Sequence, residues 1–431
     1  MKKIFLFIIP ALLWGFGLDK YIKSIDNNPL IKSKQKAVQA TKEMLKVSEA
    51  KNYPKIDMSF NAFRLKDTPT TLFVFPPFPP VTIPLGTKDN VNLEVGFVYP
   101  IFSGYAITDN IEKSKLEVAK KILEKDALKR ELYLKTVELY GNIYALDRYI
   151  QAYKDAKKAV DESLKKARGL YKNDLLNLSG VYNIEAKKFD IVSSIQKLKS
   201  QKQALENRLL YLTGIKSDDR FELSDFSANL HEKDIVDTAL KQRRDIRVIQ
   251  EQLHIANSDI KLAKSRYYPT VAIVGAIKKQ GDNLRLNGNG YTNADGSYIG
   301  LSVKWNLFDG FAKKHQKEAA MRKKEATKLY FDDYKNRVKT DIKNSFLSLE
   351  SLKSLLKSAQ KRVLAQKEYY RLTKGRFENS LCSADELSRA ISALATAKAK
   401  LDEVKAKIFI QRYKIALEGG LDYFSKLAYM K

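Results

Sequence analysis

The residue types that most often carry out chemistry are few and scattered in this chain. Its three histidines, His231, His254 and His315, lie far apart and show no metal-ligand spacing. The single cysteine, Cys382, excludes a disulfide framework and any cysteine-based zinc site. A nucleophilic Cys382 would need a histidine and an acid to meet it in space, so a free or partly buried thiol is the simpler interpretation. The sequence therefore predicts no enzyme, no metal site and no cofactor.

The ionisable residues are mostly basic and are spread along the chain. Lys and Arg number 78 against 50 Asp and Glu, a formal net charge of +28 over 431 residues. Basic and acidic residues alternate at helical spacing, as in Lys113, Glu117 and Lys121, which is typical of a solvated helix face. We therefore expect no nucleic-acid partner. Scarce glycine (19) and proline (11) favour long helices.

The N-terminus has the features of a secretory signal. Two lysines precede an apolar run over residues 5–14, and small residues follow at 15 and 17. The run is short and contains a proline, whereas a spanning helix needs about 20 apolar residues. We expect residues 1–17 to be a signal peptide, with an N-terminal membrane anchor as the alternative.

Proline positions locate the helices, because proline is excluded from helix interiors. Residues 101–268 and 270–431 contain no proline, and apolar residues recur there every seven positions. Such heptads indicate helices packed side by side as coiled coils. We predict helices over 28–52, 104–170 and 176–213, the second about 100 Å long at 1.5 Å per residue.

Four segments alternate apolar and polar residues with period two, which predicts β-strands. They form two pairs, at 56–61 with 91–101 and at 271–277 with 299–307. Strands of about 10–12 residues suit a tilted bilayer crossing, although a half-buried soluble sheet shows the same alternation. A lipid-exposed sheet must close on itself, and four strands are too few, so a barrel would be shared between chains.

The two strand pairs are connected by different loops. Residues 63–90 contain four prolines between positions 76 and 80. We expect this segment not to pair as strand and to form an extracellular loop or a cap over the barrel mouth. Residues 281–296 are rich in Gly and Asn and predict a flexible surface loop.

The chain contains an internal duplication. Residues 102–105 align with 308–311, and Gly214 aligns with Gly420, both 206 positions later. We divide the mature chain into a first repeat, an inter-repeat equatorial segment, a second repeat and a short C-terminal tail. These cover residues 18–215, 216–242, 243–421 and 422–431.

The duplicated junctions resemble those of the TolC family of outer-membrane efflux proteins. They are the strand-to-helix junctions at 99–104 and 305–310 and the helix-to-strand junctions at 50–54 and 265–269. The resemblance covers residues 18–421. It implies a fold dominated by α-helix with β-barrel strands: a homotrimer with a twelve-stranded transmembrane β-barrel, four strands per chain, and a long α-helical coiled-coil tunnel.

The resemblance also implies a function. Such a protein lies in the outer membrane of a Gram-negative bacterium, contacts its lipid and extends into the periplasm. It conducts substrates passively in a tripartite efflux or type I secretion system, with a periplasmic adaptor (membrane fusion) protein and an inner-membrane pump or ABC transporter. A secreted coiled-coil adhesin is the alternative, but it does not explain the duplicated strand pairs.

Two sets of site residues follow from the resemblance. The hairpin turns after Tyr171 and Phe377 are implied to dock the adaptor, and a periplasmic constriction is implied at Glu386 and Arg389. The family often has two acidic residues at the constriction, so we expect Arg389 to pair with Glu386 and weaken an acidic ring. The alternative for Glu386 is an ordinary exposed carboxylate at a helix start, where the helix dipole favours it. The family usually has glycine three residues after each aromatic, whereas this chain has Asp174 and Ser380 at those positions. The docking residues are Asn173, Asp174 and Leu175 in the first turn and Asn379, Ser380 and Leu381 in the second.

Overall fold

The computed structural model describes residues 17–217, 221–224, 229–286 and 295–429. The predicted signal peptide, except its last residue, and the middle of the predicted loop at 281–296 lie outside the described residues. About 70% of the structure is helical, which confirms the predicted fold class. None of the helices in the described segments combines the length and hydropathy needed to cross a membrane.

The helical part is built on two very long helices. Each contains 67 residues and is followed by a shorter return helix. The first long helix begins and ends two residues later than predicted. The helices are α1 (Leu18–Ser24), α2 (Pro29–Ala50), α3 (Ala106–Lys172), α4 (Leu178–Thr213), α5 (Glu232–Gln242), α6 (Arg244–Ser265), α7 (Ala312–Glu378), α8 (Ala384–Glu418) and α9 (Leu421–Tyr429).

The predicted strands form one antiparallel sheet of four strands in the order β1-β4-β5-β6, and two shorter strands, β2 and β3, form a separate hairpin. β4 pairs with β1 on one side and with β5 on the other, so the two predicted pairs join into a single sheet. The strands are β1 (Lys55–Arg64), β2 (Thr70–Phe73), β3 (Val81–Pro84), β4 (Asp89–Phe102), β5 (Thr270–Gly281) and β6 (Gly296–Lys304).

The structure corrects two predictions about the strands. The proline-rich loop does pair, because β2 and β3 flank the prolines at 76–80 and only Pro84, at the end of β3, lies within the ladder. The last strand ends at Lys304, so Trp305 and Leu307 lie outside it. The indole N–H of Trp305 instead donates to the Tyr267 carbonyl oxygen (3.1 Å).

The sheet has one apolar and one polar face, because the register aligns apolar residues across all four strands. Ile56 lies opposite Phe97, Phe97 opposite Gly275, and Gly275 opposite Ile299. Ile56 and Ile299 are 70% and 75% exposed. Glu94 lies on the other face, opposite Ser59 and Lys278. A shallow cavity of about 780 Å³ lies on part of the apolar face, where it is lined by Ile56, Phe97 and Ile299 among others.

The duplicated strand-to-helix junctions share an unusual backbone. Gly104 and Gly310 have φ of 62° and 66°, and the following Tyr105 and Phe311 have φ of 70° and 67°. At Gly104 a Cβ atom would lie 2.6 Å from the Ser265 carbonyl oxygen, so only glycine fits there. The 206-residue repeat thus extends to left-handed backbone conformations.

The described chain divides into two compact units. One contains the sheet and comprises Ala37–Lys121 and Ile249–Tyr330. The other comprises the described residues of Met1–Lys36, Ile122–Val248 and Phe331–Lys431, and it contains the hairpin turns. One apolar cluster of this second unit includes residues from both hairpins, namely Ala167, Leu170, Ile184, Phe377, Leu387 and Ile391. This shared core holds the two helical hairpins together.

Candidate functional site

The first hairpin turn, between α3 and α4, is closed by backbone hydrogen bonds. The N–H of Asp174 donates to the carbonyl oxygen of Tyr171 (3.1 Å), and that of Leu175 to Leu170 (2.9 Å). Asp174 is left-handed, with φ of 58°. This pair of bonds around a left-handed residue is a Schellman motif, which satisfies carbonyl groups at the helix end.

The second turn, between α7 and α8, repeats this arrangement. The N–H of Ser380 donates to the carbonyl oxygen of Phe377 (3.0 Å), and that of Leu381 to Arg376 (2.8 Å). Ser380 is also left-handed, with φ of 59°. Both residues that replace the expected glycine therefore adopt the conformation that glycine favours, at the cost of some strain.

Side chains brace the two turns in the same way. The amide nitrogens of Asn173 and Asn379 donate to the carbonyl oxygens of Gly169 (3.0 Å) and Gly375 (2.8 Å). The next helices begin with matching caps, since Asn177 accepts from the N–H of Gly180 and Ser383 from that of Glu386. These bonds fix the helix ends on both sides of each turn.

The leucines of the turns are exposed although backbone hydrogen bonds close both turns. Leu175 and Leu381 are 61% and 68% exposed, whereas Leu170 and Phe377 beside them are buried. A Schellman motif commonly uses the residue at this position for an apolar contact with the helix. Here the two leucines are left available to another surface.

The predicted pairing of Glu386 with Arg389 is wrong. The Arg376 guanidinium donates to Glu386 Oε1 (2.9 Å) and to the carbonyl oxygen of Leu381 (3.2 Å). Arg389 instead lies 2.9 Å from Asp385, one helical turn earlier. Glu386 lies at the start of α8, from where its side chain reaches back across the turn to α7. The Glu386 side chain is 27% exposed and that of Arg389 71%.

Cys382 shows no catalytic surroundings. Its thiol donates to the Thr373 carbonyl oxygen at 3.5 Å. Burial, with a further contribution from Glu386, raises the pKa of the thiol and makes it a poorer nucleophile at neutral pH. No cluster of His, Cys, Asp or Glu in the described segments has the arrangement of a metal site.

A basic groove between α3 and α4 was missed by the sequence analysis. It is a cavity of about 430 Å³ whose lining includes Lys165, Arg168, Gly169, Lys172 and Lys188. Arg168 and Lys188 are paired, with Glu185 (3.3 Å) and Asp161 (2.8 Å). The basic residues at the end of α3 could have indicated a basic surface from the sequence. Only the packing of α4 against α3 shows which lysines line a groove.

The groove retains uncompensated positive charge and open space. Lys165 and Lys172 have no carboxylate partner among the described residues. A Cβ atom added at Gly169 would meet nothing within 4 Å, and the same holds for the equivalent Gly375. Helical glycine costs about 1 kcal/mol relative to alanine, and nothing in the single chain requires it at either position.

A charged cluster links helices α3, α6 and α7. Asp245 accepts two hydrogen bonds from Arg243 (3.0 and 2.7 Å), one from Arg130 (3.1 Å) and one from the Tyr334 hydroxyl (2.8 Å). Burial opposes ionisation of Asp245, but these donors outweigh it and hold its pKa well below the usual range. Burial raises the pKa of Tyr334 to about 12.

Glu418, at the end of α8, is buried in a less favourable setting. Its Oε1 accepts a hydrogen bond from Ser345 (2.9 Å), but Oε2 has no partner among the described residues. Burial is the largest influence and raises the pKa of this carboxyl above its usual range. Burial therefore makes ionisation of Glu418 less favourable in the folded chain than in water.

Comparison with known proteins relates part of the chain to a protein family. Residues 235–417 match the model for the outer membrane efflux protein family. This part of the chain, from α5 to α8, therefore resembles that family. Its members are passive outer-membrane channels that extend into the periplasm of Gram-negative bacteria, so the predicted class of function and the predicted location are confirmed. They are trimers that work with periplasmic adaptors and inner-membrane pumps.

Solved structures show the same fold over nearly the whole chain. VceC of Vibrio cholerae is 16% identical with a TM-score of 0.77, and the match covers 94% of this chain and 96% of VceC. The Campylobacter jejuni CmeC outer membrane channel is 16% identical with a TM-score of 0.77, covering 95% and 88%. The Neisseria gonorrhoeae MtrE outer membrane channel is 16% identical with a TM-score of 0.66, covering 91% and 88%. No curated protein sequence matches the chain significantly.

Proposed function

We propose that three copies of this efflux channel assemble into one passive conduit in which each contributes four strands to a twelve-stranded barrel. The four-stranded sheet carries this proposal. Among the described residues, β1 and β6 each pair on only one side, and the apolar face of the sheet is exposed. In hydrocarbon an open edge is intolerable, so closure between chains satisfies both edges and places the apolar face against lipid.

Two measurements test the assembly. Native mass measurement in detergent is expected to give a trimer, and a stable folded monomer would contradict the proposal. Carbonate or urea washing of membranes is expected to leave the protein in place. Release by either wash would favour a peripheral coiled-coil fibre, because an integral barrel leaves the membrane only in detergent.

The adaptor is proposed to dock at the two hairpin turns. The support is the pair of exposed leucines, Leu175 and Leu381, which lie on hydrogen-bonded Schellman turns 206 positions apart. An exposed apolar side chain on a backbone already held by hydrogen bonds loses less entropy on binding than one on a flexible loop, so it can anchor a partner helix. Because the two turns are equivalent positions of the internal duplication, we propose that both dock the adaptor in the same way.

The basic groove suggests the chemistry of the adaptor surface that it meets. Lys165 and Lys172 are uncompensated cations, and Gly169 leaves room for close approach of a second backbone. We propose that a helix carrying carboxylates packs here, with a small residue opposite Gly169.

The constriction is proposed to be a ring of three copies of Glu386 near the three-fold axis of the trimer. Carboxylates crowded in a narrow pore attract cations and bind divalent ions. The ion pair with Arg376 reduces this field, so the expected channel is only modestly cation-selective. Single-channel recordings of Glu386→Ala test the placement, because unchanged selectivity and divalent block would put the constriction elsewhere.

A further inference from the structure

The hairpin of β2 and β3 has an unusual surface. Residues 68–87 contain no ionisable side chain. Eight large apolar side chains there are exposed, from 37% for Ile83 to 67% for Phe78. They are Leu72, Phe73, Val74, Phe75, Phe78, Val81, Ile83 and Leu85. So many exposed apolar side chains on one short segment mark an interaction site, and an isolated two-stranded hairpin is at best marginally stable in water.

A charged collar separates this hairpin from the four-stranded sheet. It consists of Arg64, Lys66, Asp67, Lys88 and Asp89, and Arg64 lies 3.4 Å from Asp89. The backbone ladder continues through the collar, since the Leu65 N–H donates to the Lys88 carbonyl oxygen at 2.7 Å. The hairpin is therefore a direct extension of β1 and β4 beyond the collar.

The length of the sheet places the hairpin outside the hydrocarbon. β1 pairs with β4 over its ten residues, from Lys55 to Arg64. A tilted membrane strand needs about 9–11 residues to cross the hydrocarbon core. The collar charges then lie at the membrane–water boundary, and the apolar hairpin lies beyond it, where lipid tails do not reach. Its surface needs a protein partner.

The hairpin tip is also suited to burial by protein. Pro76, Pro77, Pro79 and Pro80 have no backbone N–H, so covering the tip leaves few donors unsatisfied. The corresponding loop after β5 differs, since its described part contains Asp282, Asn283 and Arg285. One apolar and one polar loop thus follow the sheet at the same end.

We propose that the β2–β3 hairpin packs against the same hairpin of the other two copies, forming an apolar plug over the outer mouth of the channel. This rests on the trimer proposed above. β1 is an edge strand of the sheet, so the hairpin continues directly from the edge that meets a neighbouring chain. Three hairpins related by the three-fold axis bury one another's apolar side chains and narrow the outer opening.

Cysteine cross-linking tests the plug. In a Cys382→Ser background, Phe78→Cys in native membranes is expected to form covalent dimers with a short bismaleimide, in up to two of every three chains because each trimer has three thiols. Leu284→Cys, 75% exposed on the polar loop, is the matched control and is expected to give no dimers. Asn substitutions at Phe75 and Phe78 are expected to keep the trimer and raise its single-channel conductance.

Three results would overturn the plug. One is rapid labelling of Phe78→Cys by a membrane-impermeant maleimide without cross-linking, which would show a hairpin free in water. Another is quenching of a Phe78→Trp variant by brominated lipid, which would place the hairpin in the membrane. The third is unchanged conductance of the Asn variant. If native mass shows trimers, these results refute the plug alone, whereas absence of trimers refutes the assembly as well.

Discussion

Glu386 at the start of α8 is paired with Arg376 in the last turn of α7, with 2.9 Å between Arg376 Nη1 and Glu386 Oε1. The same guanidinium holds the carbonyl oxygen of Leu381, so one arginine connects the proposed docking residue to the proposed constriction residue. A partner that displaces Leu381 would therefore change the electrostatic screening of Glu386. This relationship suggests how docking could be coupled to the pore.

Removing Arg376 is expected to strengthen block of the channel by divalent cations. Arg376→Ala leaves the Glu386 carboxylate without its ion-pair partner. A partly exposed ion pair contributes about 0.2–1 kcal/mol. We expect the blocking ion to gain a similar free energy, which raises its apparent affinity by about 1.5- to 5-fold. Single-channel recordings in planar bilayers measure this. Arg389→Ala is the control, because Arg389 pairs with Asp385 and its loss is expected to have a smaller effect. A larger effect of Arg389→Ala would contradict the assignment.

Glycine in the hairpin turns is expected to stabilise the protein. Asp174→Gly and Ser380→Gly remove the steric strain of a left-handed residue that has a Cβ atom. This gain exceeds the entropic cost of glycine by about 0.5–1 kcal/mol for each substitution. Thermal unfolding followed by helical circular dichroism should show a higher midpoint. Lys172→Gly, in the last turn of α3, is the control and is expected to lower the unfolding midpoint. A lower midpoint for both turn variants would mean that their side chains stabilise the turn.

Charged side chains at the turns are expected to abolish export while leaving trimers in the membrane. The double variant Leu175→Glu, Leu381→Glu removes both exposed apolar anchors without touching the buried core. Export of a pump substrate in cells reports activity, and native mass reports assembly. Leu175→Met with Leu381→Met keeps the apolar surface and should export normally. Normal export by the glutamate variant would show that docking occurs elsewhere.

Charge reversal in the basic groove is expected to weaken adaptor binding. Lys165→Glu and Lys172→Glu place carboxylates where we propose that acidic adaptor residues bind, so the affinity for the purified adaptor should fall and depend less on salt. Lys166→Glu is the matched control, because Lys166 is an exposed neighbour that does not line the groove. Equal losses for all three variants would indicate a general charge effect.

Glu418→Gln is expected to raise the thermal midpoint at neutral pH. The pKa of Glu418 is raised on folding, so its destabilising effect is absent below the pKa of the unfolded chain and grows as the pH rises through the folded pKa. Unfolding midpoints measured from pH 4 to pH 8 should converge for wild type and variant at the acidic end. A constant difference would mean that packing, and not ionisation, separates the two proteins.

Asp245→Asn is expected to lower the thermal midpoint at neutral pH. The pKa of Asp245 is depressed, so its stabilising effect is present above the unfolded pKa and disappears as the pH falls. The variant should therefore be less stable than wild type at neutral pH, with a smaller difference in acid. Lys261 provides a surface comparison: Lys261→Ala removes the pair with Glu112 and should change stability little.

The architecture could be predicted from the sequence because its signals are local and repeated. Proline-free heptads predict the long helices, and period-two alternation predicts the strands. The duplication identifies equivalent turns before any contact is known. The prediction for the proline-rich loop was wrong, because the prolines at 76–80 interrupt strand pairing only at the tip, and every residue of β2 and β3 except Pro84 retains the backbone N–H of a ladder.

Only the tertiary structure decided the partners of individual charges. By sequence spacing Arg389 could reach Glu386, but Arg376 reaches it from α7 because the turn folds the two helices back on each other. Asp245 gathers donors from helices that are distant in sequence. Helical periodicity fixes which face a residue occupies, whereas ion pairs depend on distances of a few ångströms between helices. The sequence alone therefore determined the long helices, the four strands of the main sheet and the repeat. Packing determined the β2–β3 hairpin, the ion pairs, the groove and the strained turns.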